Sequence, residues 1–270
     1  MVPSLPYAHV DSSLRALAGQ AEAFGRFAIG GLHGPLYPVT TLALDEVKDG
    51  ILDMYMGRDK IADTVDLKGL MSSCAKTGMR IITLEMIGQD HCVMVVGKKS
   101  PSGLSLKFQE LFIFHCTRVS SYKTIDGCGQ RVKLTGKGLS LKECEHVIIC
   151  NLEFEGGKGP DADGIQIKPK SKHIWIDHCG LRAYDNGLID ITRESTDITI
   201  SRCHFSQHDK TILTGPDPSH IGDRCIRIII QHCFFDRTRE RHPRVRYGKV
   251  HLYNNYTRNW GTYAVCASVE

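Results

Sequence analysis

Three arginines lie close together in residues 241–248, whose sequence is RHPRVRYG. Arg244 and Arg246 are two positions apart ahead of an alternating run, so in a strand their side chains lie on one face. Arg241 precedes the turn that Pro243 imposes. Guanidinium groups are planar forks that suit carboxylates and phosphates, and the stretch therefore predicts an anion-binding site. By itself it is also typical of a solvated basic surface or a phosphate patch.

Acidic and amide side chains upstream supply the opposite chemistry. Asp161 and Asp163 stand at i and i+2, and Asn186 and Asp190 follow about one repeat later. Several oxygen ligands on flexible side chains suit a hard cation, calcium above magnesium. Asp and Asn also form turns, and that interpretation stays open on these residues alone. If the repeats stack, we expect the four side chains to reach one point and to form a calcium site.

Lys210 lies about one repeat beyond Asp190, and Arg241 lies one repeat beyond Lys210. Acids followed by basic residues along one face predict a site that binds an anionic sugar through a bridging metal. The arginines alone would also allow a nucleic-acid patch. Acids on the same face repel phosphate unless a metal is bound, so we expect no nucleic-acid partner.

An internal repeat predicts the elements that position these residues. Five segments rich in β-branched residues begin 22 to 30 residues apart, at His146, His173, Asp197, Arg227 and Lys249. A constant short strand with connections of variable length is typical of a solenoid, and helix signals are nearly absent from this half of the chain. The repeat therefore predicts an all-β fold, a parallel β-helix.

Stacked repeats place Cys179, Cys203 and Cys233 in one column, which Asn255 continues. An inward stack of small side chains is the favoured interpretation, and a metal ladder is the alternative. The chain has 11 cysteines, an odd number, and no C-x-x-C pair. We therefore expect most of them to be buried thiols rather than disulfides or zinc ligands.

The composition of the 270 residues, 41% apolar and 24% charged with a net charge of +4, is that of a soluble protein. We find no apolar run of the length that spans a membrane and no signal-peptide pattern at the start, so we expect no membrane partner. We divide the chain into a leading segment (1–44), an atypical segment (45–118) that contains a predicted helix at 62–76, and the β-helix (119–270).

The motifs DAD at 161–163, IWIDHC at 174–179, GLID at 187–190, HDK at 208–210 and RHPRVRYG at 241–248 together resemble the pectate lyase family, most closely its plant-type branch. The resemblance covers residues 119–270, with a weaker echo at 25–42. It implies a right-handed, single-stranded parallel β-helix in the cell wall that cleaves polygalacturonate by β-elimination with the aid of calcium. We expect a monomer.

The resemblance also implies roles for individual residues. Position 186 normally carries an acid, so Asn186 predicts weaker calcium binding. His242 is an alternative base, because a histidine titrates near neutrality. The implied assignments are Asp161, Asp163, Asn186 and Asp190 for calcium, Lys210, Arg244 and Arg246 for the substrate carboxylates, and Arg241 for the catalytic base.

Two features depart from the family pattern. Residues 45–118 do not resemble its first coils, and the chain ends at Glu270 where further coils and a cap are expected. A β-helix that binds acidic polysaccharide without turnover is therefore the second prediction. A pectin lyase that acts on methyl-esterified substrate without calcium is disfavoured by Asp161, Asp163 and Asp190.

Overall fold

A computed structural model describes residues 22–30, 36–39, 92–96, 109–113, 117–127 and 132–269. Within these ranges the chain forms 22 strands and two 3₁₀ helices, Ala23–Phe27 and Ile221–Cys225. The helix expected at 62–76 lies outside the described residues. None of the helices in the described ranges is long and apolar enough to cross a membrane.

The strands form three sheets, and all neighbouring strands within them run parallel. Sheet 1 contains β1 (Leu36–Val39), β2 (Cys92–Val96), β5 (Lys123–Asp126), β8 (Glu145–Cys150), β11 (Lys172–Asp177), β14 (Thr196–Ser201), β17 (Arg227–Gln231) and β20 (Lys249–Tyr253). Sheet 2 contains β3 (Gln109–Ile113), β6 (Val132–Gly136), β9 (Leu152–Glu155), β12 (Gly180–Arg182), β15 (His204–Lys210), β18 (Phe234–Glu240) and β21 (Tyr256–Arg258). Sheet 3 contains β4 (Thr117–Val119), β7 (Leu139–Leu141), β10 (Ile165–Ile167), β13 (Ile189–Ile191), β16 (Ile212–Thr214), β19 (Arg244–Arg246) and β22 (Cys266–Val269).

From β2 onward the chain visits sheets 1, 2 and 3 in the same order in every coil, which confirms the predicted parallel β-helix. Strands β2 and β3 of the 45–118 segment belong to these sheets, and β4 spans the expected boundary at residues 117–119. The expected division at residue 119 and the role of the rest of that segment stay predictions.

Stacked aliphatic side chains form the core between the sheets. In sheet 1, Ile176 lies in register with Ile149 on one side and Ile200 on the other, and all three are fully buried. Each coil adds similar residues to the same columns, so burial is continuous along the solenoid. Aliphatic burial at about 25 cal/mol per Å² therefore stabilises every coil through its two neighbours.

The predicted column of small side chains also lies in the interior. Cys179, Cys203 and Cys233 are buried free thiols, and each donates a hydrogen bond to a carbonyl of the preceding coil at 3.7–3.8 Å. Asn255 continues the column and accepts the Cys233 N–H at 2.9 Å. The thiols therefore pack as small side chains of the core.

The outer face of sheet 1 is covered by the 3₁₀ helix Ala23–Phe27. The Gly25 N–H donates to Thr199 Oγ1 at 2.8 Å, and a Cβ at Gly25 would lie 3.0 Å from the ring of Trp175. Only glycine allows this close approach. The leading segment is thereby attached across three coils of the solenoid.

Candidate active site

The eight residues assigned from the sequence lie where sheet 2 passes into sheet 3. Asp161 and Asp163 are in the connection before β10, and Asn186 is in the equivalent connection of the next coil. The other five lie within or beside the strands that border this edge: Asp190 in β13, Lys210 at the end of β15, Arg241 before β19, and Arg244 and Arg246 in β19. Parallel register therefore brings them to one side of the solenoid.

Asp163 and Asp190 converge beside Gly187. A Cβ at Gly187 would lie 3.0 Å from Asp163 Oδ1 and 3.1 Å from Asp190 Oδ1. The Gly187 N–H donates to Asp163 Oδ1 at 2.6 Å, and the Gln166 amide donates to Asp163 Oδ2 at 2.8 Å. The absent side chain of Gly187 thus leaves a small space that two carboxylates face.

The two carboxylates of this pair repel each other when both are ionised. Burial, followed by the charge of Asp163, raises the pKa of Asp190 to about 7, although the nearby Arg241 acts in the opposite direction. Burial also raises the pKa of Asp163, and the charge of Asp161 adds to the increase. Two carboxylates that resist ionisation together gain from a bound cation, which would remove their repulsion.

The other two expected ligands, Asp161 and Asn186, contact their neighbours through backbone carbonyls. Asp161 is exposed, and the backbone carbonyl of Asp161 accepts a hydrogen bond from the Gln166 amide at 2.8 Å. Asn186 is half-buried, and its backbone carbonyl lies 3.4 Å from His208 Nε2. Within the described ranges no group of three or more His, Cys, Asp or Glu side chains is arranged to hold a metal. The donor set that fits a cation is thus the Asp163–Asp190 pair.

Arg241 is mostly buried, with a side-chain exposure of 16%, and its Nε lies 3.4 Å from Glu240 Oε1. Glu240 stands in register with Lys210 on the neighbouring coil. Glu240 was not among the residues predicted from the sequence, and the signal that could have identified it is this alignment of β15 with β18. A carboxylate at this distance can orient the guanidinium.

Arg244 and Arg246 lie in the short strand β19. The register irregularity beside Arg246 results from an extra residue, Ser268, in β22, so β19 keeps its own alternation. The Arg246 guanidinium donates to the carbonyl of Pro216, and the buried Nε of Arg244 has no hydrogen-bond partner among the described residues. Arg244 therefore has a donor that no described residue uses.

His242, the alternative base, lies in the interior. Its ring stacks on Phe235 with centroids 4.9 Å apart, and Nε2 lies 2.7 Å from Thr238 Oγ1. Burial lowers the pKa of His242 to about 4. A ring held inside the solenoid is remote from a substrate bound at the surface.

A groove of about 610 Å³ runs beside the carboxylates on the sheet 2 side, and Asn186, His208 and Lys210 line it. Asp161, Asp163, Asp190 and Arg241 are not among its lining residues. Burial is the main cause of a lowered pKa of His208, and the charges of Lys210 and Arg241 lower this pKa by smaller amounts. The groove and the carboxylate pair therefore meet at Asn186 and Lys210.

The sequence matches the family described as "Pectate lyase" over residues 113–269. A "Probable pectate lyase 4" of Arabidopsis thaliana is 32% identical over 95% of this chain and 61% of its own length. A "Pectate lyase 2" of Ambrosia artemisiifolia is 31% identical over 96% of this chain and 60% of its own length. The chain thus spans about three fifths of the length of these curated relatives.

Among solved structures, that of Jun a 1, the major allergen from cedar pollen, is 25% identical with a TM-score of 0.71. The match covers 98% of this chain and 73% of that one. A pectate lyase of Bacillus sp. N165 in complex with trigalacturonate has a TM-score of 0.63 at 18% identity, covering 92% of this chain and 73% of that one. The second similarity concerns the fold alone.

Proposed function

The chain belongs to the pectate lyase family, and from this premise we propose that it cleaves polygalacturonate by calcium-assisted β-elimination. The observation that carries the proposal is the convergence of Asp163 and Asp190 beside Gly187, one coil away from basic side chains. Bound there, calcium would join the enzyme to a substrate carboxylate and withdraw charge from it, which acidifies the neighbouring C5 proton. Asp161 and Asn186 would complete the ligand set from the exposed side.

The basic residues would hold the substrate. Lys210 lines the groove, and Arg244 and Arg246 follow it on the next coil, so their charges can neutralise uronate carboxylates. Arg244 stands in the same column of sheet 3 as Asp190, with Leu213 between them. A chain of acidic sugars that reaches the carboxylate pair would therefore also reach the arginines.

Arg241 is the residue that we assign to the C5 proton. In β-elimination the C5–H bond gives its electron pair to a new C4=C5 double bond, the C4–O bond breaks, and the departing oxygen takes a proton from water. Arginine is a weak choice of base because its free pKa lies above about 12. As a charged group it would also stabilise the carbanion-like transition state.

The test is the absorbance of the unsaturated uronate product formed from polygalacturonate, first with calcium and then with a chelator. We expect a product that requires calcium and that disappears in Arg241→Ala, while thermal unfolding shows that the variant is folded. A folded wild-type protein that forms no product under any calcium concentration would contradict the proposal.

A binding-only protein is the second candidate, and two observations favour it. Asn186 stands where a family member carries an acid, and the described residues hold no three-carboxylate cluster. Retention on polygalacturonate without any unsaturated product would identify this function.

A further inference from the structure

Sheet 2 provides two rows of groove-lining residues that cross the coils. Arg182, Ser206, Asp236 and Arg258 are in register across four coils. The residues that directly follow them all have positive φ and all line the groove: Ala183, Gln207, Arg237 and Asn259. The second row, two residues further on, consists of Asp185, Asp209, Arg239 and Gly261. The groove therefore runs along the solenoid axis, across strands about 4.8 Å apart.

The groove is most basic on the third of its four coils, before the uncharged Asn259 and Gly261 of the fourth. Ala183 and Asp185 on the first coil give way to Arg237 and Arg239 two coils later. Lys158 and Lys210 also line it, and the acids are Asp185 and Asp209. The lining thus has four basic and two acidic side chains, and an excess of positive charge.

Neither arginine is held by a strong partner. The side chains of Arg237 and Arg239 are both 60% exposed. Arg237 lies 3.4 Å from Asp236, whose two carboxylate oxygens already accept hydrogen bonds from Arg258 at 2.8 and 3.2 Å. Arg239 lies 3.7 Å from the exposed Asp209 and donates to Thr262 at 3.2 Å. Both guanidinium groups therefore keep donors for an external anion.

From this arrangement, and resting on the proposed function, we infer that Arg237 and Arg239 form a second carboxylate-binding subsite in the groove. It binds the carboxylate of a uronate unit beyond the one held at Lys210. Arg239 directly precedes Glu240, which is in register with Lys210, so a linear chain along the groove passes from one subsite to the next. The subsite favours runs of unesterified units, because a methyl ester removes the charge that the guanidinium groups recognise.

The experiment measures retention on polygalacturonate by affinity electrophoresis, without calcium and at low salt, for wild type and Arg237→Gln/Arg239→Gln. We expect binding about five- to tenfold weaker in the double variant, which corresponds to about 1 to 1.4 kcal/mol from the two exposed charge pairs together. The difference should shrink at high salt. Arg237→Lys/Arg239→Lys, which keeps both charges, should recover part of the loss.

The matched control is Arg227→Gln, whose side chain is 53% exposed in an ion pair with Asp197 on sheet 1, outside the groove. Unchanged retention in the double variant, or an equal loss in the control, overturns the subsite. An equal loss of retention on dextran sulfate also overturns it, because that result identifies an unselective basic patch. Product formation is measured on the same proteins. If the double variant is retained more weakly but neither it nor the wild type forms product, the lyase activity is contradicted and the subsite is not. If product forms and retention of the double variant is unchanged, the subsite is contradicted and the lyase activity is not.

Discussion

Asp163 and Asp190, from adjacent coils, direct carboxylate oxygens to within about 3 Å of the same point, the position that a side chain on Gly187 would occupy. A Cβ at residue 187 would be in tight contact with both oxygens. Burial also raises the pKa values of both carboxylates. The absence of a side chain at residue 187 therefore leaves space between two carboxylates, and a cation bound there would balance their charge.

A side chain at position 187 should disturb this space directly. Gly187→Ala would place a methyl group 3.0 and 3.1 Å from the two carboxylate oxygens, at a backbone conformation outside the left-handed region. We expect calcium affinity to fall about tenfold or more, as for other groups that orient metal ligands. Isothermal titration measures the affinity, and calcium-free retention on polygalacturonate with thermal unfolding provides the control for folding. Wild-type affinity in a folded variant would show that calcium binds elsewhere.

An acid at position 186 should strengthen the same site. Asn186→Asp adds a negative charge to the expected calcium ligands Asp161, Asp163 and Asp190, so we expect calcium to bind several-fold more tightly. Asn259→Asp is the matched control, because Asn259 also lines the groove but lies beyond the arginines. Equal calcium affinities for wild type and Asn186→Asp would refute the prediction. Since Asn186 precedes a glycine, peptide mass spectrometry should confirm that the wild-type sample has not deamidated.

Calcium affinity should depend on pH through Asp190. The free protein holds a proton on this carboxyl group below a pH of about 7, whereas the unfolded chain releases it near the ordinary value of 3.8. Calcium binds the deprotonated form, so its affinity should rise with pH and level off above about 7, with about a tenfold change per pH unit below that point. Titrations in two buffers of different ionisation enthalpy would detect the released proton. An affinity that is constant between one unit below and one unit above this pH would contradict the assignment.

The β-helix could be predicted because its signal repeats. Each predicted segment carries β-branched residues, and three of the five carry a cysteine at the same offset, which parallel stacking turns into a column. The corner at which each segment passes from sheet 1 to sheet 2 had no such signal. Asn151, His178, Arg202, His232 and Asn254 all have φ between 49° and 58°, which divides every predicted strand between sheets 1 and 2. Three different residue types adopt this conformation because the stack requires it, and one of them is arginine, so local propensity alone does not identify the corner.

The site could be predicted only in part for a similar reason. Sequence order placed Asp163, Asp190 and Lys210 on successive coils, and the register of the strands agrees with that order. Glu240 is the last residue of β18 and Arg241 is the first residue after it, so their contact depends on how the chain turns at the end of that strand. Such details are set by packing against neighbouring coils, which no motif records.

Glu240 provides a test of how Arg241 acts. Glu240 Oε1 lies 3.4 Å from Arg241 Nε, so the carboxylate can hold the guanidinium in one orientation. Glu240→Gln keeps the shape of the side chain but removes its charge. We expect kcat to fall about tenfold while KM changes little, because a misplaced Arg241 loses contacts made in the transition state rather than substrate binding. Steady-state kinetics on polygalacturonate measure both constants.

The matched control is Glu155→Gln, whose carboxylate pairs with Lys133 and Arg182 in sheet 2 rather than with a site residue. Its kcat and KM should coincide with those of the wild type. A folded Glu240→Gln protein with the wild-type kcat would show that the contact with Glu240 does not position Arg241.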